Sequence, residues 1–161
     1  MTHLLALSWA SGLAQPVPAG LPAIQRAMDP WNRDWTCAAD RVFIGTVVTA
    51  DTHRSDTRVG VVTDVVFRVE RDLVGGGPTP ETFPWTMPGG RLVDEDGSFL
   101  GTRVAGFPHV ERGLRLLVAF RTQGPALQDG PRLHGFQPVP DGPLATPATL
   151  REAWEDGCGP H

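Results

Sequence analysis

A chain of 161 residues, 40% apolar, suits one domain with one modest core. The formal charge of −4 and isoelectric point near 5.7 exclude the net basic surface that nucleic acid or an anionic membrane requires. All fourteen basic residues are arginine, and there is no lysine or tyrosine, which excludes lysine Schiff-base catalysis, Walker-type phosphate binding and a tyrosine acid or base.

The first element is the apolar run Leu4–Ala14. At roughly eleven residues it is too short to span a bilayer. It fits the apolar core of a secretory signal, with small residues at Gly12-Leu13-Ala14 for cleavage, so residues 1–14 are expected to be a signal peptide. Only His3 precedes the run in place of a lysine or arginine, which points to a natural start further upstream. The other reading is an apolar N-terminal strand or helix packed on the domain.

Residues 15–36 form a lead-in. Pro16, Pro18 and Pro22 forbid a long element before residue 22, and Pro22 suits the first turn of a short helix with Leu21, Ile24 and Met28 on one face. Asp29-Pro30 ends it. Trp31 and Trp35 are expected to cover the end of the β-domain.

From residue 37 the chain reads as one mainly β domain. The nineteen glycines and sixteen prolines, without a period, supply many turns. Strand one is expected over Val42–Ala50; its apolar residues are nearly continuous, so its inward face is open. Residues 51–57 read as a polar turn. Strand two is expected over Arg58–Leu73, with Val59, Val61, Thr63, Val65, Phe67 and Val69 on one face and Asp64, Arg68, Glu70 and Asp72 on the other. A strand of that length is expected to bend. After the loop Gly75-Gly76-Gly77-Pro78, strand three runs Glu81–Met87, with Pro84 marking an edge or bulge. Pro88-Gly89-Gly90 is a sharp turn. Arg91–Val93 and Ser98–Val104 flank Asp94-Glu95-Asp96-Gly97 as a hairpin. Strand five is Leu114–Arg121, and a last strand spans Arg132–Val139. Thr146 is an N-cap, Pro147 fits the first helical position, and Leu150, Ala153 and Trp154 give the helix 147–156 an apolar face, with Gly157 at C′.

The two cysteines, Cys37 and Cys158, bracket this domain. In an exported chain they are expected to form one disulfide that pins its ends together; otherwise they are two buried thiols.

Several segments together carry a resemblance: Gly45-Thr46-Val47-Val48, Thr63-Asp64-Val65 with Phe67-Arg68-Val69-Glu70, Pro88-Gly89-Gly90, Val104-Ala105-Gly106-Phe107-Pro108, and Gly113 before Leu116-Leu117-Val118-Ala119-Phe120. Over residues 38–139 the chain resembles a family of exported bacterial domains of uncharacterised function. Its members are similar to the OB-like β-barrels of tissue inhibitors of metalloproteinases and netrin modules. The resemblance implies a small OB-like barrel, closed or partly open, with short N-terminal and C-terminal helices, in an extracytoplasmic setting. It carries no catalytic residues. Inhibition in that class depends on an N-terminal cysteine on zinc, and nothing marks a cut before Cys37. The acidic Asp94–Gly97 turn replaces a more glycine-rich segment of the family.

The chemistry-bearing residues are sparse. No two of His3, His53, His109, His134 and His161 lie four apart, so there is no zincin-type helix. A site built by His53, His109 and His134 has no support from spacing. Asp94-Glu95-Asp96-Gly97 holds carboxylates as a calcium turn does, but lacks the downstream ligands of an EF-type loop, so it reads as a solvated turn or a weak cation site. Ser98 lies outside a G-x-S-x-G elbow. No metal and no cofactor is implied.

The expected function is therefore an exported, non-enzymatic binding or interaction module, monomeric, with a protein or small-molecule partner, no nucleic acid and no membrane span. OB-like barrels bind across strands two and three and the adjoining loops. Phe83, Trp85, Asp94 and Asp96, with loops 51–57 and 91–98, are the candidate contacts. The alternative is a small hydrolase or metal-dependent enzyme with a loop-built site, and a third reading is a structural envelope protein.

Overall fold

The computed structural model describes residues 17–56, 60–75, 80–103, 109–122 and 132–159. The expected signal over residues 1–14, the start of strand two at Arg58 and Val59, the Gly76–Pro78 loop and the Val104–Pro108 segment lie outside the described residues.

Among the described residues the chain is mainly β, with three short helices. Helix α1 (Leu21–Ala27) and α2 (Arg33–Cys37) precede β1 (Arg41–Arg54), β2 (Val61–Val74) and β3 (Thr82–Pro88). The hairpin β4 (Gly90–Val93) and β5 (Phe99–Thr102) follows, then β6 (Arg115–Arg121), β7 (Arg132–Pro138) and α3 (Pro147–Cys158). Five strands form an antiparallel sheet in the order β3-β2-β1-β6-β7, and β4-β5 is a separate two-stranded sheet. Among the described residues the five strands do not close into a ring.

The open sheet is nevertheless strongly rolled. Strands β3 and β6 are three strand positions apart, about 14 Å in a flat sheet. Yet the Phe83 ring of β3 stacks on Phe120 of β6 at 4.6 Å between centroids, and Trp85 meets Phe120 edge-on at 5.4 Å. The β1–β2 pairing slips register at Val42/Phe43, Ile44/Gly45 and Val47/Thr49, and such irregularities bend and twist a strand pair.

Rolling gives the sheet two buried faces. Phe43, Val47, Val65, Phe67, Met87, Leu116, Val118 and Phe120 fill the concave side. Val42, Ile44, Leu73, Leu117 and Ala119 face the other way, against Ile24 of α1 and Leu150 and Trp154 of α3. The continuous apolar run of β1 follows directly: the strand is buried on both faces, so no single inward face exists. On the helix side, Glu70 accepts from Arg115 Nε and Nη2 at 2.9 and 2.6 Å and from the Thr46 hydroxyl. Arg115 Nη1 also donates to the Gly142 carbonyl at 2.8 Å, tying β1, β2 and β6 to the segment that leads into α3.

Three expectations need correction. Strand β1 continues through Arg54, because Asp51–Arg54 pair with Val61–Asp64. Trp31 and Trp35 do not cover the domain; they are 91% and 68% exposed. The inward position of α2 belongs to Thr36, whose hydroxyl donates to the Asn32 carbonyl at 2.6 Å, with the Ala27 carbonyl at 3.3 Å as the longer alternative acceptor. Finally, α3 runs past Gly157 to Cys158 and is capped at Gly159 (φ 81°). A Cβ on Gly157 would collide with Met28, so the glycine inside the helix admits Met28 beside the sulfur pair.

Cys37 at the end of α2 and Cys158 at the end of α3 are disulfide-bonded, with Cα atoms 5.4 Å apart. Thr146 caps α3 as expected, accepting from the Thr149 N–H at 3.2 Å.

Candidate functional site

The site grows from a cross-strand pair. Thr52 of β1 and Thr63 of β2 are direct partners, and their hydroxyl oxygens lie 2.9 Å apart. Thr63 donates to the Gly89 carbonyl at 2.8 Å; a carbonyl only accepts, so the Thr52 proton goes to Thr63. The chain leaves β3 and crosses directly over this pair through Gly89 (φ 94°) and Gly90 (φ 145°). A Cβ at Gly90 would collide with Thr63 Oγ1 and sit 2.7 Å from Thr52 Cγ2. Only glycine lets the backbone pass there in that conformation.

The crossing swings the β4–β5 hairpin out over the end of the sheet, where β4 packs against β1 and β2. Arg54, at the end of β1, holds the far end of β4 through Asp94, with Nη2 to the two carboxylate oxygens at 2.9 and 3.2 Å. The hairpin turn satisfies itself. Asp96 accepts from the Ser98 N–H at 2.9 Å and the Ser98 hydroxyl at 2.6 Å. The hydroxyl bond first, then the backbone bond, lowers the Asp96 pKa below its ordinary value.

Between hairpin and sheet lies a cleft of about 330 Å³. The Thr52–Thr63 pair and Met87–Gly90 form its floor and apolar wall. The hairpin contributes Arg91, Phe99 and Thr102, and Arg103, His109 and Val110 line the other side. Arg91 faces Gly101 across the hairpin, and its guanidinium carbon sits 5.0 Å from the centre of the Phe99 ring. With no side chain at Gly101, the Phe99 edge folds back over that position; a Cβ there would meet Phe99 Cε2 at 3.4 Å. No aspartate or glutamate is among the described residues lining the cleft.

Of the candidate contacts read from sequence, the 51–57 and 91–98 loops give Thr52 and Arg91 to the cleft, while Phe83, Trp85, Asp94 and Asp96 fall outside its lining. Phe83 and Trp85 are half-buried and pack on the concave core around Phe120, away from the cleft. Asp94 and Asp96 serve the hairpin. His53 Nδ1 lies 3.8 Å from Asp64 Oδ2, with both side chains about half exposed, beyond hydrogen-bond reach. His109 lines the cleft. The His134 side chain lies outside the described residues. Among the described residues, no three of His, Cys, Asp and Glu gather where they could share a metal ion. No helix among them is long and apolar enough to cross a membrane.

Sequence reasoning singled out the 51–57 and 91–98 loops, which hold Thr52 and Arg91, and His109, but missed Thr63 and Arg103. The signal was two threonines on adjacent strands before a Gly-Gly turn, and it acquires meaning only once the β1–β2 register is known. Comparison of the chain with protein-family models, curated proteins and solved structures gives no match.

Proposed function

We propose that the chain is an exported, non-enzymatic binding domain built on an OB-like, partly open β-barrel, and that the cleft beneath the β4–β5 hairpin holds its ligand. The observation that carries the reading is the cleft itself. Its volume lies at the lower end of the ~300–1,000 Å³ typical of small-molecule sites, with apolar walls and a few polar groups.

The barrel reading is supported by the strand order and by the rolling that brings Phe83 onto Phe120. OB-like barrels bind at strands two and three and the adjoining loops, and the cleft sits at the ends of β2 and β3. Export is supported by the Cys37–Cys158 bond, which belongs in an oxidising compartment, together with the signal-like residues 1–14. The enzyme alternative needs a histidine and an acid in contact. His53 and Asp64 stand 3.8 Å apart, and His109 meets no described carboxylate.

The test is recovery of the native protein from the periplasm or medium, with N-terminal sequencing and native mass spectrometry. The expected result is a mature chain lacking residues 1–14 that carries a small molecule released unchanged on unfolding. A chain retained in the cytoplasm with Met1 intact refutes export. A native mass equal to the bare polypeptide refutes the binding reading.

A further inference from the structure

We infer that the cleft takes a small organic anion: a carboxylate or phosphate group held by Arg91 and Arg103, joined to a flat apolar body lying against Met87, Pro88 and Phe99. This rests on the binding reading above and names its ligand class.

The charge distribution is the first argument. The chain is acidic overall at −4, yet two arginines and a histidine line one cleft with no described carboxylate among them. Two carboxylates on the adjoining elements are engaged: Asp94 with Arg54, and Asp64 with the Thr86 hydroxyl at 2.6 Å. Other arginines of the domain do find acids. Arg115 pairs with Glu70 and Arg41 with Asp72. Arg91 and Arg103 form no ion pair with a described residue.

The second argument is preorganisation. The Arg91 guanidinium carbon lies over the Phe99 ring, 5.0 Å from its centre, while its N–H groups donate to no described acceptor. A guanidinium held this way presents the fork that matches a carboxylate or phosphate through paired bonds. The third is the wall. Met87, Pro88 and Phe99 are apolar, and the hydroxyl protons of Thr52 and Thr63 are already spent, so the floor offers no competing donors from that pair. The arginines are thus left as the principal charged donors for a ligand with an apolar body.

The experiment titrates the oxidised full chain, by amide NMR shifts, with benzoate, phenyl phosphate, benzyl alcohol and benzylamine. One or both anions are expected to bind with a Kd near or below about 1 mM and to shift Gly89, Gly90 and Gly101. The stronger of the two identifies carboxylate or phosphate as the natural head group. Arg91→Gln with Arg103→Gln should weaken binding at least about tenfold, and rising salt should weaken it in the wild type. Both arginines are exposed, so the variants should keep the wild-type unfolding curve. Phe99→Ala should weaken the aromatic anions while sparing the salt dependence.

Benzylamine or benzyl alcohol binding as tightly as the anions overturns the inference and leaves the binding reading standing. So does anion binding that ignores the double substitution or shifts only residues outside the cleft. Failure of both anions at about 10 mM also overturns it. Release of phenol from phenyl phosphate overturns the non-enzymatic reading instead.

Discussion

Cys37 and Cys158 lie 121 residues apart in sequence, and their bond joins the ends of α2 and α3. Cys37→Ser with Cys158→Ser removes that closure. The chain-entropy relation gives about 4.9 kcal/mol for a loop of this length at 25 °C, while measured cases more often give about 2–4. A domain of this kind is stable by about 5–15 kcal/mol, so the loss is a large fraction of the total. Urea unfolding followed by tryptophan fluorescence reads it. The double variant and the reduced wild type should share one midpoint, about 2–4 kcal/mol below the oxidised wild type. The oxidised protein should also show a smaller m-value, because the cross-linked unfolded chain is more compact. Each single serine variant should lose the same closure energy, since one cysteine cannot close the loop. Any excess in one of them reports its packing on Met28, whose sulfur lies 4.0 Å from Cys37 Sγ and 3.6 Å from Cys158 Sγ. Two free thiols in the unfolded, unreduced wild type would refute the reasoning, as would identical midpoints for oxidised wild type and double variant.

Gly90→Ala forces a side chain into a left-handed backbone position and into Thr63; it should cost about 1–3 kcal/mol in thermal unfolding, and an unchanged melting curve would contradict the proposed crossing. Trp154→Ala, at a fully buried site, should cost about 3–5 kcal/mol. Trp31→Ala, at a 91% exposed one, should stay within about 0.5 kcal/mol, and comparable losses would show that α2 is placed differently. Ser98→Ala should raise the Asp96 pKa back towards its ordinary value, read by side-chain carboxyl NMR. Because the folded-state value is depressed, the turn's contribution is present above the ordinary carboxylate range and lost as pH falls through the lowered value.

Legibility varied with how local the governing physics is. The face of β2 carrying Val61, Thr63, Val65 and Phe67 was readable because side chains alternate along any strand, and all four are buried. Thr146-Pro147 marked the start of α3 because a cap is completed within one turn. Asp51–Arg54 read as a turn because they are polar, yet backbone pairing with β2 holds them in a strand, and side-chain polarity does not report that pairing. Trp31 and Trp35 read as cover because large aromatics usually seek burial. On α2 the inward position is taken instead by Thr36, whose hydroxyl reaches the Asn32 carbonyl, and Trp35 points outward.

By itself, the sequence determined a mainly β domain, its approximate strands, the flanking helices and the only possible disulfide partners. These follow from period-two alternation, turn chemistry and a count of two cysteines. Tertiary structure decided that β1 is buried on both sides, that the sheet rolls until Phe83 reaches Phe120, and that Phe83 and Trp85 serve the core. It also decided where a cleft forms. The cleft needs Thr52 opposite Thr63, a glycine crossing above them and a hairpin held by Arg54. Each of those contacts joins residues distant along the chain, through a register set by pairing and bulges that no local pattern encodes.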